Sequence, residues 1–269
     1  MNVSTLIGLL CVTLSLVISF MMDGGHLNPY INESAALLVF GGTIGAGVFG
    51  ISMSSLKRLP GALRQAFMTD SVAQPEKIVA HLMDLSRLAR REGLLALESR
   101  ISDEENPFLR KGLQLVVDGT DGEALRSIMQ AEIRNQKHRH DQGSEFFSSL
   151  GALAPTIGIM GTIIHLIHMM GGLEDPSSMG PQIAAAFCAC LYGVASANVF
   201  FFPLATKLAN LSDQERFISK IIVEGLVSLQ AGESTVVMEE RLTTYLSPDK
   251  RGQIEGGQER ETADERRAA

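Results

Sequence analysis

The charges of this chain are confined to two blocks, and the gaps between them decide what it can fold into. All 23 Lys and Arg residues lie within Lys57–Arg139 and Lys207–Arg267. Four apolar stretches fall outside those blocks: Val3–Met22, Ala35–Leu56, Phe146–Leu173 and Pro176–Thr206. Each has the roughly 20 apolar residues that a helix needs to cross a bilayer. The connectors Asp23–Ser34 and Glu174–Asp175 carry acids and one His, but no Lys or Arg. The positive-inside rule places both connectors outside and both basic blocks in the cytoplasm. The expected fold is therefore an all-α membrane protein: four transmembrane helices with a helical cytoplasmic domain between helices 2 and 3, and both termini in the cytoplasm. Val3–Met22 lacks a positive n-region and an obvious small-residue cleavage site, so it reads as a retained span rather than a signal peptide.

The division that follows is 1–56 for a first hairpin (helix 1 over 3–22, helix 2 over 35–56), 57–145 for the cytoplasmic helical domain, and 146–206 for a second hairpin (helices over 146–173 and 181–206). Residues 207–246 form a cytoplasmic helical extension, and 247–269 a charged, disordered tail. Within the insert, Ile78, Leu82, Leu85, Leu88 and Ala89 recur at helical spacing. Asp118–Gly122 is a turn cluster, after which Leu125, Ile128, Met129 and Ile133 line one side of another helix. The stretch Leu88–Glu98 reads as a continuing helix with an exposed charged face.

A net charge of -7 hides this segregation. The acidic excess argues against a nucleic-acid partner, which needs a basic face. Cys11, Cys188 and Cys190 all fall in apolar spans and make no disulfide framework. Small residues crowd the last two spans (Gly151, Ala154, Gly158, Gly161; Ala185, Ala186, Ala189, Gly193). Close helix packing and the lining of a narrow path explain them equally well. The glycines of the second span (Gly41, Gly42, Gly45, Gly47, Gly50) fit packing within the chain or a contact between subunits.

No Asp, Glu, Lys or Arg lies inside any span, whereas ion-coupled devices mark their route with an intramembrane ionisable group. Either the chain moves no ions, or a partner helix supplies the carboxylate. The polar groups available are Thr156, Thr162, His165, His168 and Cys190. His165 and His168, three apart, share a helix face roughly; metal ligation and proton relay are weighed against plain neutral imidazoles. Pro155 and Pro203 remove backbone bonds inside helices and mark either kinks or helix ends. A nucleophile–base pair is lacking, so an intramembrane enzyme is not expected.

These features converge on a known family. The runs Ala89-Arg-Arg-Glu-Gly-Leu-Leu-Ala-Leu-Glu98, Ala154-Pro-Thr-Ile-Gly-Ile-Met-Gly-Thr162, Asp175-Pro176, Leu191-Tyr-Gly193 and Phe201-Phe-Pro-Leu-Ala-Thr-Lys207 resemble the MotA-type flagellar stator subunits of the MotA/TolQ/ExbB proton channel family. The resemblance covers the chain to about Pro248. It implies a homopentamer in the bacterial inner membrane around two copies of a single-span B subunit. That partner brings the intramembrane Asp and a peptidoglycan-binding domain. It implies that Arg90, Arg91 and Glu98 meet the rotor protein FliG, that Pro155 and Pro203 couple ion flow to motion, and that Thr162 and Cys190 line the ion pathway. It implies no cofactor.

Two departures bear on the transported ion. In sodium-driven relatives a second Thr stands where Cys190 stands here, and a thiol is a poor ligand for a hard cation. That favours protons, while Leu191-Tyr-Gly193 and Asn198–Pro203 resemble the sodium-type branch. His165 and His168 replace small residues. The alternatives are a sodium-driven stator and an energy transducer of the TolQ/ExbB kind; the latter is expected to have three spans.

Overall fold

The computed structural model describes residues 3–22, 30–68, 74–172, 176–248 and 250. Among these residues every regular element is helical and there is no strand. The chain divides into two compact units: residues 1–70 with 139–212, and residues 71–138 with 213–269. The tail beyond 250, the first connector over 23–29 and the second over 173–175 lie outside the described residues.

The second unit contains α6 (Pro75–Glu92), a 3-10 turn (Leu94–Leu97), α7 (Glu98–Ile101) and α8 (Pro107–Val117). It also contains the start of α9 (Gly122–Gly171), the later part of α11 (Phe202–Gln230), and α12 (Thr235–Thr243). Local sequence sets the ends of these helices. Pro75 and Pro107 occupy first turns, where a missing N–H costs nothing. The Asn106 side chain accepts from the Phe108 and Leu109 amides at 3.0 and 3.3 Å. Ser234 accepts from Val237 at 3.3 Å. Gly93 stops α6 at φ +88°, a conformation that side-chain-bearing residues rarely adopt. The helix expected through Leu88–Glu98 is therefore broken at its fifth position after Leu88, and Glu98 opens a new helix.

One apolar core closes this unit. Leu82 of α6, Leu97, Leu113 of α8, Leu125 and Met129 of α9, Ile221 and Leu226 of α11, and Met238 of α12 are all fully buried in it. Residues from 213 onward, within the expected helical extension, thus share a core with the insert's helices. Leu226 fills the space above Gly112, where a Cβ would stand 2.1 Å from its Cδ1. The expected stripe on α9 is corrected at one place: Leu125, Met129 and Ile133 are buried, but Ile128 is exposed. Steps of four stay under the neighbouring helices, and 128 falls off that line. Arg126 donates to both carboxylate oxygens of Glu224, which raises its already high pKa. A hydrogen bond from Lys250, reinforced by the backbone, holds the Glu76 carboxyl below its ordinary value.

The first unit contains α1 (Val3–Met22), α2 (Glu33–Ala36), a π turn (Leu37–Gly41), α3 (Gly42–Phe49), α4 (Met53–Leu56) and α5 (Leu59–Met68). It is completed by α9 from residue 139, α10 (Pro176–Ser196), a second π turn (Ala197–Phe201) and α11 up to residue 212. Among the described residues two helical stretches are long and apolar enough to cross a membrane: Gly122–Gly171 and Met179–Gln230. The run Glu33–Phe49 is shorter. The helix expected over 35–56 ends at Phe49, because Gly50 is followed by Ser52, which caps a new helix by accepting from the Ser55 amide at 3.3 Å. The last apolar stretch runs as helix from Pro176, with Pro181 inside it, and continues past 206 into α11.

The second-span glycines pack in part within the chain. A Cβ on Gly42 would stand 3.2 Å from Ile157, and one on Gly47 would stand 2.3 Å from Leu150, while Gly45 meets nothing within 4 Å. These pairs run α3 antiparallel along α9. Ala35 and Val39 pack on Cys188 and Ala189 of α10.

Candidate functional site

The centre of the first unit is a seam where the backbones of α9 and α10 touch. Ala154 and Gly158 on α9, and Ala189 and Gly193 on α10, are each four apart and so lie on one helix face. A Cβ built on Gly158 would stand 2.8 Å from the Ala189 carbonyl oxygen, and one on Gly193 would stand 2.6 Å from that of Ala154. The contact is reciprocal, and backbone stands against backbone at both glycines. In lipid, where no hydrophobic force drives helices together, such close approach supplies the packing energy.

One turn along the same seam, the Thr162 hydroxyl lies 3.1 Å from the Gly158 carbonyl and 3.0 Å from that of Ala186. It therefore ties α9 to α10 while its oxygen keeps acceptor capacity. Cys190, one turn from Ala186, places its Cα 3.5 Å from the position of a Gly158 Cβ. The structure thus brings Thr162 and Cys190 onto one seam, half-buried and one helical turn apart. The two histidines separate. His165 is buried with Nδ1 2.7 Å from the Gly161 carbonyl, whereas His168 is exposed. A carbonyl only accepts, so Nδ1 of His165 carries the proton.

One contact lies beside both prolines. The Phe202 ring lies against Gly151, where a Cβ would come within 2.8 Å of its ring carbons. Pro155 follows Gly151 by one turn and lacks the N–H that would bond its carbonyl. Pro203 follows Phe202 directly, just after the π turn, whose closing bond joins the Phe202 amide to the Ala197 carbonyl. π turns inside helices recur at functional places.

Sequence reasoning cited Tyr192 only within the Leu191-Tyr-Gly193 run and gave it no role of its own. Its hydroxyl donates to the Tyr30 carbonyl and accepts from the Asn32 amide at 3.0 Å, and its ring stacks on Phe40 with centroids 6.0 Å apart. It fastens the entry of α2 to α10. A lone phenol in an apolar helix was the available signal, since a buried hydroxyl requires a partner.

In the second unit, Arg90, Arg91 and Glu98 are exposed and make no ion pair among the described residues. The Gly93 break turns the chain between the two arginines and Glu98. Leu97, fully buried, anchors the turn immediately before Glu98. The charges therefore project from a fixed point, with Leu95 exposed between them. Among the described residues no cluster of three His, Cys, Asp or Glu is arranged to hold a metal.

The chain matches the model of the MotA/TolQ/ExbB proton channel family over residues 100–219, and that of the Motility protein A N-terminal region over residues 6–93. It is 32% identical to Motility protein A of Bacillus subtilis (strain 168) over 267 residues, covering 97% of this chain and 99% of that protein. It is 33% identical to Chemotaxis protein PomA of Vibrio alginolyticus, covering 93% of this chain and 98% of that one. Among solved structures, the flagellar MotAB stator complex from Bacillus subtilis contains a chain similar at a TM-score of 0.86 and 33% identity, covering 93% of this chain and 98% of its own. The C. jejuni MotAB structure is similar at the same TM-score and 26% identity, covering 93% and 97%.

Proposed function

The chain belongs to the MotA/TolQ/ExbB proton channel family, and on that premise we propose that it is the A subunit of a flagellar motor stator. With a B subunit it forms an ion channel that turns ion-motive force into torque on the rotor. The observation that carries this reading is the uncharged α9–α10 seam. It offers Thr162, Cys190 and backbone carbonyls, but no carboxylate to take up and release an ion. The B subunit's single span supplies that acid in this reading, and its peptidoglycan-binding domain holds the complex still. The match of residues 6–93 to the motility-protein model favours the motor over a TolQ/ExbB-type transducer.

Four membrane spans with both termini in the cytoplasm complete the picture. The 17-residue run Glu33–Phe49 extends about 25 Å at 1.5 Å per residue, at the short end of what a bilayer accepts. Five copies surround two B subunits and turn about them. Pro155 and Pro203, which flank the contact between Gly151 and Phe202, couple ion release to that turn. Arg90, Arg91 and Glu98 engage charged residues of the rotor protein FliG.

Charge reversal tests the rotor contact. Arg90→Glu and Glu98→Lys alter exposed groups, so each shifts stability by no more than about 0.5 kcal/mol. Swimming speed is expected to fall severalfold while the complex still co-purifies with its B subunit. Unchanged swimming with both charges reversed removes the rotor role from this segment.

Cys190 carries the preference for protons, because its sulfur replaces the oxygen that a sodium ion requires. Swimming is expected to persist without sodium and to stop with a protonophore. Swimming that needs sodium and ignores the protonophore makes the ion sodium.

A further inference from the structure

A cavity of about 380 Å³ opens within the first unit, between the start of α5 and the segment of α9 that precedes the apolar stretch. Lys57, Arg58, Arg139 and His140 line it. So do the polar side chains Ser55, Gln142 and Ser212 and the apolar Leu59, Leu208 and Leu211. Among the described residues no Asp or Glu lines it. Lys57 and Arg58 are exposed and make no ion pair among the described residues. The Ser55 hydroxyl donates to Gln142 Oε1 at 2.8 Å, which joins α4 to α9 at the rim and gives the cavity a fixed edge.

Position and chemistry agree on one ligand. The Lys and Arg residues fall where the apolar stretches end: Lys57 and Arg58 follow the second, and Arg139 precedes the third. In the four-span reading this is the inner headgroup level of the bilayer. A cavity lined by both basic and apolar side chains fits a molecule with an anionic head and an acyl tail. Basic pockets between membrane helices on the cytoplasmic side bind such headgroups. We infer that this cavity binds the phosphodiester headgroup of an anionic phospholipid, with Lys57 and Arg58 as its cationic ligands. The inference rests on the membrane orientation proposed above.

Gly61 makes the inference testable without altering charge. It lines the cavity, and a Cβ there meets nothing within 4 Å, so Gly61→Phe fills the space without straining the helix. The test uses the full chain co-expressed with its B subunit, extracted in mild detergent. Native mass spectrometry then reads retained phospholipid after washing and after titration with phosphatidylglycerol, phosphatidylcholine or inorganic phosphate. The intact complex is expected to retain phosphatidylglycerol and to exchange it poorly for phosphatidylcholine. Lys57→Gln with Arg58→Gln, and separately Gly61→Phe, should each lower its occupancy about tenfold or more. Arg64→Gln, an exposed cation outside the cavity, should not. Equal retention in the wild type and in both cavity variants overturns the inference, and displacement by millimolar inorganic phosphate replaces the lipid with a free anion. Recovery of the chain in the membrane fraction is scored separately. A chain absent from membranes fails the channel reading; a chain present there with unaltered lipid fails only the cavity.

Discussion

A chain carrying Gly193→Val is expected to accumulate poorly in the membrane and to support no swimming. The added Cβ would stand 2.6 Å from the Ala154 carbonyl oxygen and 3.1 Å from the Gly158 Cα. Neither obstacle is a side chain that can turn away, so the two helices must part. Overpacking costs about 1–3 kcal/mol where neighbours can rearrange; here a rigid backbone puts the effect at or above the top of that range. Parting the helices also breaks the 3.0 Å bond from Thr162 to Ala186, which depends on the same approach. Gly158→Val attacks the seam from the opposite side and should have the same phenotype. Gly171→Ala, whose Cβ meets nothing within 4 Å, should leave accumulation unchanged. Wild-type levels and swimming from Gly193→Val would show that α9 and α10 do not meet in the working complex as they do here.

That seam shows where sequence reasoning stops. The spacing of Ala154 and Gly158, and of Ala189 and Gly193, marks a small-residue stripe on each helix. It does not say which stripe faces which, so packing and path lining remained equal explanations. The reciprocal backbone contact shows close packing at both glycines. Thr162 and Cys190 were named one by one from the family resemblance; that they sit a turn apart on one seam follows from how the helices cross. His165 and His168 show a limit of periodicity. Residues three apart differ by about 60° around the axis. That is enough for one imidazole to turn in to a backbone carbonyl while the other stays out.

The fold was legible to the extent that charge records it. Gaps in Lys and Arg located the apolar stretches, but they are blind to a helix that stops inside one. Phe49 to Ser52 carries no charge, and the stop there is written in Gly50 and in the capping serine. Gly93 has the same role in the insert: the charges of Leu88–Glu98 suggested one helix, and the glycine among them ends it. The joining of residues 213–246 to the insert's core was beyond local reading. Ile221, Ile222 and Leu226 show an apolar face, but nothing nearby in the chain names the helices that cover it.

That core yields the second large effect. Gly112→Val is expected to destabilise the second unit by about 1–3 kcal/mol, although glycine is the poorer helix former. Replacing a helix-interior glycine by alanine ordinarily gains about 0.5–1 kcal/mol, and by β-branched valine less. The gain is outweighed because a Cβ at 112 would stand 2.1 Å from Leu226 Cδ1 and 3.1 Å from Met129 Cε, and both side chains are fully buried. Leu226 must leave its rotamer in a site where it is fully buried. Leu226→Ala alone should cost about 2–5 kcal/mol through the cavity that it leaves. The two changes should couple, since the methyl group removed at 226 is the one that obstructs 112. Chemical denaturation of the purified complex, followed by fluorescence from a label at the exposed Val236 introduced as cysteine, would measure the cycle. A double variant destabilised by less than the sum of the singles, with coupling on the order of 1 kcal/mol or more, is the expected result. Strict additivity would mean that Leu226 does not occupy the space above Gly112, and with it would go the claim that the chain's late helix completes the core of its insert.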